Sequence, residues 1–425
     1  MTEDSFVPTR RRYLRAVGAV GIVGMAGCSG DGGGSSNDGA GSGGETAGDD
    51  DTGSSGSADG DSGSADVTPW MTLHANPERT QSTPGPVPQG LAEVASTGAR
   101  EFNPRGVPSQ PRVTGDGVFL FGPEAVGRFD LSTLENEFSQ EFGRRAALGR
   151  TTIPGYVEGE TVVAGVEDTV TGLSIADGNR EWIVDRTGSA TEGNLNVPFS
   201  AGNGVGFVTK GEVGVLGVDA QEVRWRESVS FITEGLRPRP PVVHTESGTV
   251  FVAFETDVFA FDIETGEERW SLTRNEPTPL AVQGETLYVV DTDGVVAVDR
   301  TDGSMQWEQL RTEISTGVFG GPRYAVDEDG LYVMSSTDSV IAFDPSDGTE
   351  LWSTPFTGSA PSVAAGGDGL VYGTDAGIRV LSKENGESQA SLDTSMVGGI
   401  SIAGGRIYGW KDENVGRSFT VVGSG

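Results

Sequence analysis

The feature that most constrains the fold is a repeat in which an Asp ends a short apolar run, followed by a Gly four residues later and a Trp four residues after that. Three copies align without gaps, at residues 260–270, 297–307 and 342–352. Degenerate copies add four more, and the Trp-equivalent positions lie at residues 138, 182, 225, 270, 307, 352 and 390. Self-similarity at a period of about 40 residues predicts a repeat architecture rather than one continuous sheet.

Each recurring position has a physical role. The apolar runs before the Asp, such as 258–261 and 295–298, are typical of buried strands. The Asp can accept hydrogen bonds from the amides of the following turn, and the Gly supplies the positive φ that a tight hairpin requires. The Trp then opens the next strand with a large apolar face that can pack into a neighbouring unit.

A second signal recurs in phase with the first. Short polar turns containing Gly precede an apolar strand eight times, at 115–117, 158–160, 202–204, 246–248, 283–285, 328–330, 367–369 and 404–405. Four strands per unit predict an all-β fold, an eight-bladed β-propeller of four-stranded antiparallel blades spanning residues 67–425. The last unit lacks its fourth strand, which we expect from the N-terminal side near 91–96, so that the ring closes without an exposed edge. Seven blades is the alternative, if the first or last unit does not fold as a blade.

The repeats resemble the pyrroloquinoline-quinone-type, or tryptophan-docking, propeller family, and residues 70–80 resemble the opening segment of such propellers. Five tryptophans share one register, which predicts a structural role in docking blade on blade: Trp182, Trp225, Trp270, Trp307 and Trp352. Trp70 and Trp410 fall outside this register and are therefore the expected surface contacts.

The family includes quinone-dependent alcohol dehydrogenases. The resemblance implies that those enzymes hold the quinone on the propeller axis, beside a Ca²⁺ bound by carboxylate and amide side chains, a general-base Asp and a disulfide of adjacent cysteines. That disulfide is impossible here because Cys28 is the only cysteine. We predict no catalytic residues, no metal ligands and no cofactor, and the chain is not expected to be an enzyme.

Other motifs are better interpreted as structural features than as functional sites. Residues 291–294 and 327–330 resemble the start of a calcium loop, but neither continues to the Glu that such a loop needs, and Asp and Gly are expected at hairpin turns. His74 and His244 are far apart in sequence and lack a nucleophile motif.

The N-terminus has the sequence pattern of an export signal. Arg10 and Arg11 begin a stretch that resembles a twin-arginine signal, and a short apolar run then leads to Cys28. This run is too short to span a bilayer, and residues 25–28 resemble a lipobox, which implies that Cys28 is lipidated. We expect a signal peptide at 1–28 and a disordered tether at 29–66, which holds 13 Gly, nine Ser and nine acidic residues.

The charge is strongly acidic. The chain carries 29 Lys and Arg against 62 Asp and Glu, a net charge of −33, and only three of its basic residues are lysines. Phosphate backbones select basic surfaces, so nucleic acid is excluded as a partner. Excess carboxylates with few lysines are typical of a protein from a halophilic archaeon or another halophile, where molar salt screens their repulsion.

These features favour a lipid-anchored, non-catalytic propeller on the outer face of the cytoplasmic membrane, which binds a protein or another cell-surface ligand. The resemblance extends to the propeller lipoprotein of the bacterial β-barrel assembly machinery, which works through protein contacts. The rival hypothesis is an extracellular quinone-dependent dehydrogenase-like enzyme, or a binder of small ligands at the central channel.

Overall fold

The structure is a computed structural model in which the chain divides into two compact units, Met1–Asp61 and Ser62–Gly425. All described residues belong to the second unit: 76, 82–98, 102, 110–142, 153–166, 169–185, 197–202, 204–209, 211–218, 222–228, 240–254, 256–312, 314, 323–336, 338–359, 362–413 and 416–424. The predicted signal peptide, with Arg10, Arg11 and Cys28, lies outside them, as do the predicted tether and Trp70. The described residues contain no α-helix, and therefore none with the length and hydropathy of a membrane span.

The described chain forms 32 strands. Strand β1 (Ala92–Thr97) comes first, and the next four blades follow it: β2 (Arg112–Thr114), β3 (Gly117–Phe121), β4 (Ala125–Phe129), β5 (Asn136–Glu141); β6 (Gly155–Glu158), β7 (Thr161–Val166), β8 (Thr169–Ser174), β9 (Arg180–Asp185); β10 (Val197–Ser200), β11 (Val205–Val208), β12 (Glu212–Gly217), β13 (Glu222–Ser228); β14 (Val242–His244), β15 (Thr249–Phe254), β16 (Asp257–Asp262) and β17 (Glu268–Thr273). The remaining strands are β18 (Thr278–Gln283), β19 (Thr286–Val290), β20 (Gly294–Asp299), β21 (Met305–Leu310); β22 (Tyr324–Val326), β23 (Leu331–Met334), β24 (Ser339–Phe343), β25 (Glu350–Pro355); β26 (Ser362–Ala365), β27 (Leu370–Thr374), β28 (Gly377–Leu381), β29 (Ser388–Leu392); β30 (Val397–Ala403), β31 (Arg406–Glu413) and β32 (Gly416–Gly423).

The strands form eight four-stranded antiparallel sheets arranged in a ring. Blades 1 to 7 each take four consecutive strands, from β2–β5 to β26–β29. Blade 8 has the order β1-β32-β31-β30, so its outer strand comes from the N-terminal side of the chain. The predicted eight-bladed propeller closed by an N-terminal strand is therefore confirmed.

The hydrophobic core lies in the seams between blades. The first three strands of each blade are buried on both faces, which explains their nearly continuous apolar runs. One core cluster joins blades 1 and 2, another joins blades 3 and 4, and the largest joins blades 7, 8 and 1. Trp410 belongs to this largest cluster and is 1% exposed, so its prediction as a surface contact was wrong. It faces Phe419 at 5.6 Å between ring centroids, because blade 8 fills its interior from β31 and β32.

Every outer strand is irregular at the position of the repeat's Trp. The register shifts between the third and fourth strand in all eight blades, as between Ala260 and Phe261 opposite β17. Such bulges twist an edge and end its pairing, so they protect the eight outer edges against strand addition.

The strand directions define two faces of the ring. We call the hairpin face the one that carries the turns between first and second strands and between third and fourth strands. We call the crossover face the opposite one, where the chain turns from second to third strand and passes from one blade to the next. Hairpin-face turns are uniformly short, whereas the passages between blades range from four residues at 393–396 to fourteen at 98–111.

Candidate functional site

The docking turns of the hairpin face are organised by the aspartates of the repeat. Oδ1 of Asp262 accepts hydrogen bonds from the amides of Glu264 and Thr265, both at 2.9 Å. In blade 1, the amide of Thr133, the hydroxyl of Ser132 and the amide of Ser132 lower the pKa of Asp130 to about 2. The aspartates therefore act as structural acceptors that hold each turn closed.

The glycines of the repeat lie against the indole of the preceding blade. Gly348 has a φ of 74°, and a Cβ built on it would lie 2.5 Å from the ring of Trp307. The same close approach recurs for Gly266 on Trp225, Gly303 on Trp270 and Gly386 on Trp352. Glycine is required at these positions both for the left-handed backbone and for the contact with the ring.

Each of these indoles also donates a hydrogen bond to the turn on which it lies. The acceptor is always the carbonyl that follows the Asp-equivalent position of the next blade. Nε1 of Trp225 donates to Ile263 at 2.6 Å, Trp270 to Arg300 at 3.0 Å, Trp307 to Pro345 at 3.0 Å and Trp352 to Lys383 at 2.7 Å. Four consecutive seams, from blade 3 to blade 7, are thus locked by one apolar contact and one polar contact each.

A second aromatic ring supports three of the indoles from within their own blade. Phe251 faces Trp270, Tyr288 faces Trp307 and Tyr332 faces Trp352, with ring centroids 5.7–6.0 Å apart. Burial raises the pKa of the Tyr288 hydroxyl to about 12, and this hydroxyl also donates to the carbonyl of Pro345. Sequence reasoning missed these partners, although their place in the second strand of each unit repeats as regularly as the Trp.

The other seams depart from this pattern. Trp182 is half-buried and packs against the core cluster that joins blades 2 and 3. The turn between the third and fourth strands of blade 3 is shorter than in most blades. Ala390 holds the Trp place of blade 7, where the next blade has no continuous turn because β32 and β1 come from different ends of the chain. At the seam from blade 8 to blade 1, Ala95 holds the Trp place and Leu134 the Gly place.

The two candidate calcium loops are hairpin turns held by their own backbone. Oδ1 of Asp291 accepts hydrogen bonds from the amides of Asp293 at 2.8 Å and Gly294 at 2.9 Å, while Oδ2 pairs with Arg274 at 2.6 Å. Asp327 accepts from the amides of Asp329 and Gly330 and pairs with Lys383 at 2.7 Å. Basic side chains already neutralise both carboxylates.

Polar side chains at the inner strands join one blade to the next. Ser401 donates to the carbonyl of Pro111 at 2.7 Å, and Tyr324 donates to that of Leu280 at 2.7 Å. Arg112 is 2% exposed, donates to the carbonyl of Gly155 at 2.8 Å and lies 4.5 Å above the Phe121 ring. Burial lowers the pKa of Arg112 to about 9. Sequence reasoning missed Arg112, since a single Arg before an apolar strand carries no signal of burial.

The calcium that the resemblance implies for dehydrogenases would need a cluster of oxygen ligands. No three His, Cys, Asp or Glu side chains in the described ranges are grouped so that they could hold a metal. His244 is buried at the end of β14, where its Nδ1 faces the Ser247 hydroxyl at 2.8 Å and accepts from the Ser247 amide. His74 lies outside the described residues.

Comparison with known proteins shows to which family the chain belongs. The family model for the outer membrane protein assembly factor BamB matches residues 113–309 and 293–398. The chain belongs to this family of pyrroloquinoline-quinone-like propellers. No curated protein matches the chain in sequence.

Solved structures with similar folds include BamB itself and quinone enzymes. BamB from Moraxella catarrhalis is 18% identical with a TM-score of 0.59, over 78% of this chain and 99% of that one. The quinohemoprotein alcohol dehydrogenase from Comamonas testosteroni is 12% identical with a TM-score of 0.65, over 84% and 81%. A europium-containing methanol dehydrogenase is 12% identical with a TM-score of 0.65, over 84% of this chain and 98% of that one. At these identities the structural likeness shows the fold alone, so the BamB family match is what relates the chain to a particular group of propellers.

Proposed function

We propose that this chain is a lipid-anchored, non-catalytic propeller that binds another protein through its crossover face. The observation that carries the proposal is that the hairpin face makes the contacts that join the blades, while the crossover face carries the passages of variable length. On the hairpin face, turn amides bind aspartates, turn carbonyls accept indole hydrogen bonds, and turn glycines lie under rings. The polar groups and glycines of these turns are therefore already occupied in contacts that hold the ring together.

The passages of the crossover face differ in length, whereas the turns of the hairpin face are all short. The passages between blades vary from four to fourteen residues, and variable loops on a rigid scaffold are where binding surfaces usually lie. Four consecutive passages are long. They join blade 8 to blade 1, blade 1 to blade 2, blade 2 to blade 3 and blade 3 to blade 4, at residues 98–111, 142–154, 186–196 and 229–241 respectively. The family's printed description, an assembly factor, supports a role through protein contacts.

The test exchanges one long passage for a short one. Replacing residues 143–152 with the residues of 393–396 changes the crossover face next to blades 1 and 2, while Phe142 and the buried Ile153 are kept and the docking turns keep their sequence. Crosslinking on whole cells in molar KCl is expected to capture a recurrent protein with the original chain and to lose it with the exchanged chain. Capture that is unaffected by this exchange and by the exchange of 186–196 would contradict binding through this face.

The lipid anchor and the export route are part of the proposal and have their own tests. If Cys28 carries the lipid, Cys28→Ser moves the chain from the membrane fraction to the medium, whereas the neighbouring Ser29→Ala leaves it on the membrane. Arg10→Lys combined with Arg11→Lys retains the chain in the cytoplasm if export follows the twin-arginine route. Membrane retention of the Cys28→Ser chain would contradict the lipid anchor.

A quinone-dependent dehydrogenase is the second candidate, supported by the structural likeness to the two dehydrogenases. It predicts that pyrroloquinoline quinone with Ca²⁺ raises dye reduction by alcohols above that of a heat-denatured sample. The scaffold proposal predicts no such increase.

A further inference from the structure

A strap of residues 82–91 leads into β1, and together they form the N-terminal arm, residues 82–97. We propose that this arm is a latch that can detach from an otherwise closed propeller, and that Asp368 is the catch that holds it. The inference does not depend on the lipid anchor or on the proposed binding function.

The strap lies in a cradle made by the first hairpin of blade 7. The amide of Thr83 donates to the carbonyl of Ala365 at 3.0 Å, and the amide of Gly367 donates to the carbonyl of Gly85 at 2.8 Å. Asp368 accepts from the amide of Val87 at 2.8 Å and from Nε2 of Gln89 at 2.9 Å. One carboxylate therefore holds two points of the strap.

The glycines of this hairpin make room for the strap. A Cβ on Gly366 would lie 2.5 Å from a Val87 methyl, and one on Gly367 would lie 2.5 Å from the carbonyl oxygen of Pro84. Val87 is 2% exposed in this cradle. The hairpin is thus shaped to hold an extended segment that arrives from 281 residues away in sequence.

The arm contributes little to the interior of blade 8. Of the fully buried members of the core cluster that joins blades 7, 8 and 1, only Val87 belongs to the arm, while Leu91 and Ala95 are partly buried. Trp410, Phe419 and the rest of the interior of blade 8 come from β30, β31 and β32. The interior can therefore stay packed when the arm leaves.

The seams of blade 8 also lack the indole lock. Alanine holds the Trp place on both sides, at Ala390 and Ala95, so these two docking positions have no indole to donate across the seam. What holds β1 is its pairing with β32, the Lys411–Glu93 ion pair at 2.9 Å, the Ser96–Thr420 hydroxyl contact at 3.1 Å, and the strap. Release of the arm would uncover the edge of β32, and a bare strand edge is a template for pairing with another chain.

Hydrogen exchange of the full chain tests the latch. Asp368→Ala removes the carboxylate that accepts from Val87 and Gln89, and we expect the amides of β1 and their partners on β32 to exchange about thirtyfold faster, the change expected when two ordinary hydrogen bonds are lost. Amides of β30 and of blades 4 and 5 should keep their rates. The matched control is Asp375→Ala in the same blade, whose carboxylate also accepts one backbone amide and one side-chain donor, both from Ser359, and which should leave β1 unchanged.

Two results would overturn the latch: unchanged exchange of β1 in the Asp368→Ala chain, or faster exchange of β1 only together with β30 and β31. If that variant does not fold, the original chain is measured in rising denaturant. A latch predicts that β1 opens with a smaller denaturant dependence than β31, because less surface is exposed. Equal dependence for the two strands would contradict it.

Discussion

At the scale of single residues, the molecule relies on carboxylates used as structural acceptors. Asp130, Asp262, Asp299 and Asp344 occupy the same turn position, and the pKa of each lies below its ordinary value. For Asp130 the main cause is the Thr133 amide, which binds the charged form. These four aspartates thus contribute both to the acidic character of the chain and to the stability of its turns.

This arrangement predicts a loss of stability in acid. Because the pKa of Asp130 is lower in the folded state, its contribution is full above the unfolded-state pKa of about 4 and is lost as the pH falls toward about 2. Asp130→Asn should lower the free energy of unfolding at pH 7 and make little difference at pH 2. Denaturant titrations of both chains at the two pH values measure this. A penalty that is equal at both pH values would contradict a role for the charged carboxylate.

At the scale of elements, the docked indole is the unit that joins blades. Trp307→Ala should cost about 3–5 kcal/mol of unfolding free energy, because a buried ring is removed and the Pro345 carbonyl loses one of its two donors. Met305→Ala on the same strand is the control, since Met305 is 60% exposed and should change stability by less than about 0.5 kcal/mol. Chemical denaturation in constant salt compares the two, and similar costs would count against docking.

The seam from blade 8 to blade 1 offers a test of complementarity. Leu134 has a φ of 56° and is 2% exposed, so a left-handed leucine fills the space that an indole fills elsewhere, opposite Ala95. Ala95→Trp and Leu134→Gly should each destabilise the ring alone, by overpacking and by a cavity respectively. Together they should recover stability, with a coupling of about 0.5–3 kcal/mol in a double-mutant cycle. Additive effects would mean that the two positions do not form an alternative lock.

Repeats whose residues act locally could be predicted from the sequence. The Asp, Gly and Trp positions set the turn and the next strand, so blade number, closure by β1 and strand order all followed from their spacing. Trp410 could not be placed in this way, because its burial depends on three strands of blade 8 and on Met396 from the approach to β30. The same holds for Arg112 and for the contact of Asp368 with Val87, whose partners are distant in sequence.

At the scale of the whole molecule, charge sets the conditions under which the ring is stable. Residues 67–425 carry a net charge of −26, these charges repel one another, and salt screens this repulsion with a Debye length of about 3 Å at 1 M. The midpoint of thermal unfolding should therefore rise steadily between 0.1 and 3 M KCl, concentrations chosen to span about 10 to 2 Å of screening length. A midpoint that is unchanged over this range would contradict the halophilic interpretation.

In the closed ring of eight blades, four consecutive seams are locked by indoles that donate hydrogen bonds to the next blade. The most direct measurement is the hydrogen exchange of the indole Nε1 protons by NMR in molar KCl, with each signal assigned by a single Trp→Phe variant. The structure predicts that the protons of Trp225, Trp270, Trp307 and Trp352 exchange as slowly as central-strand amides, because each is bound to a carbonyl of the next blade. Exchange at the rate of a free tryptophan side chain at these four positions would contradict the account.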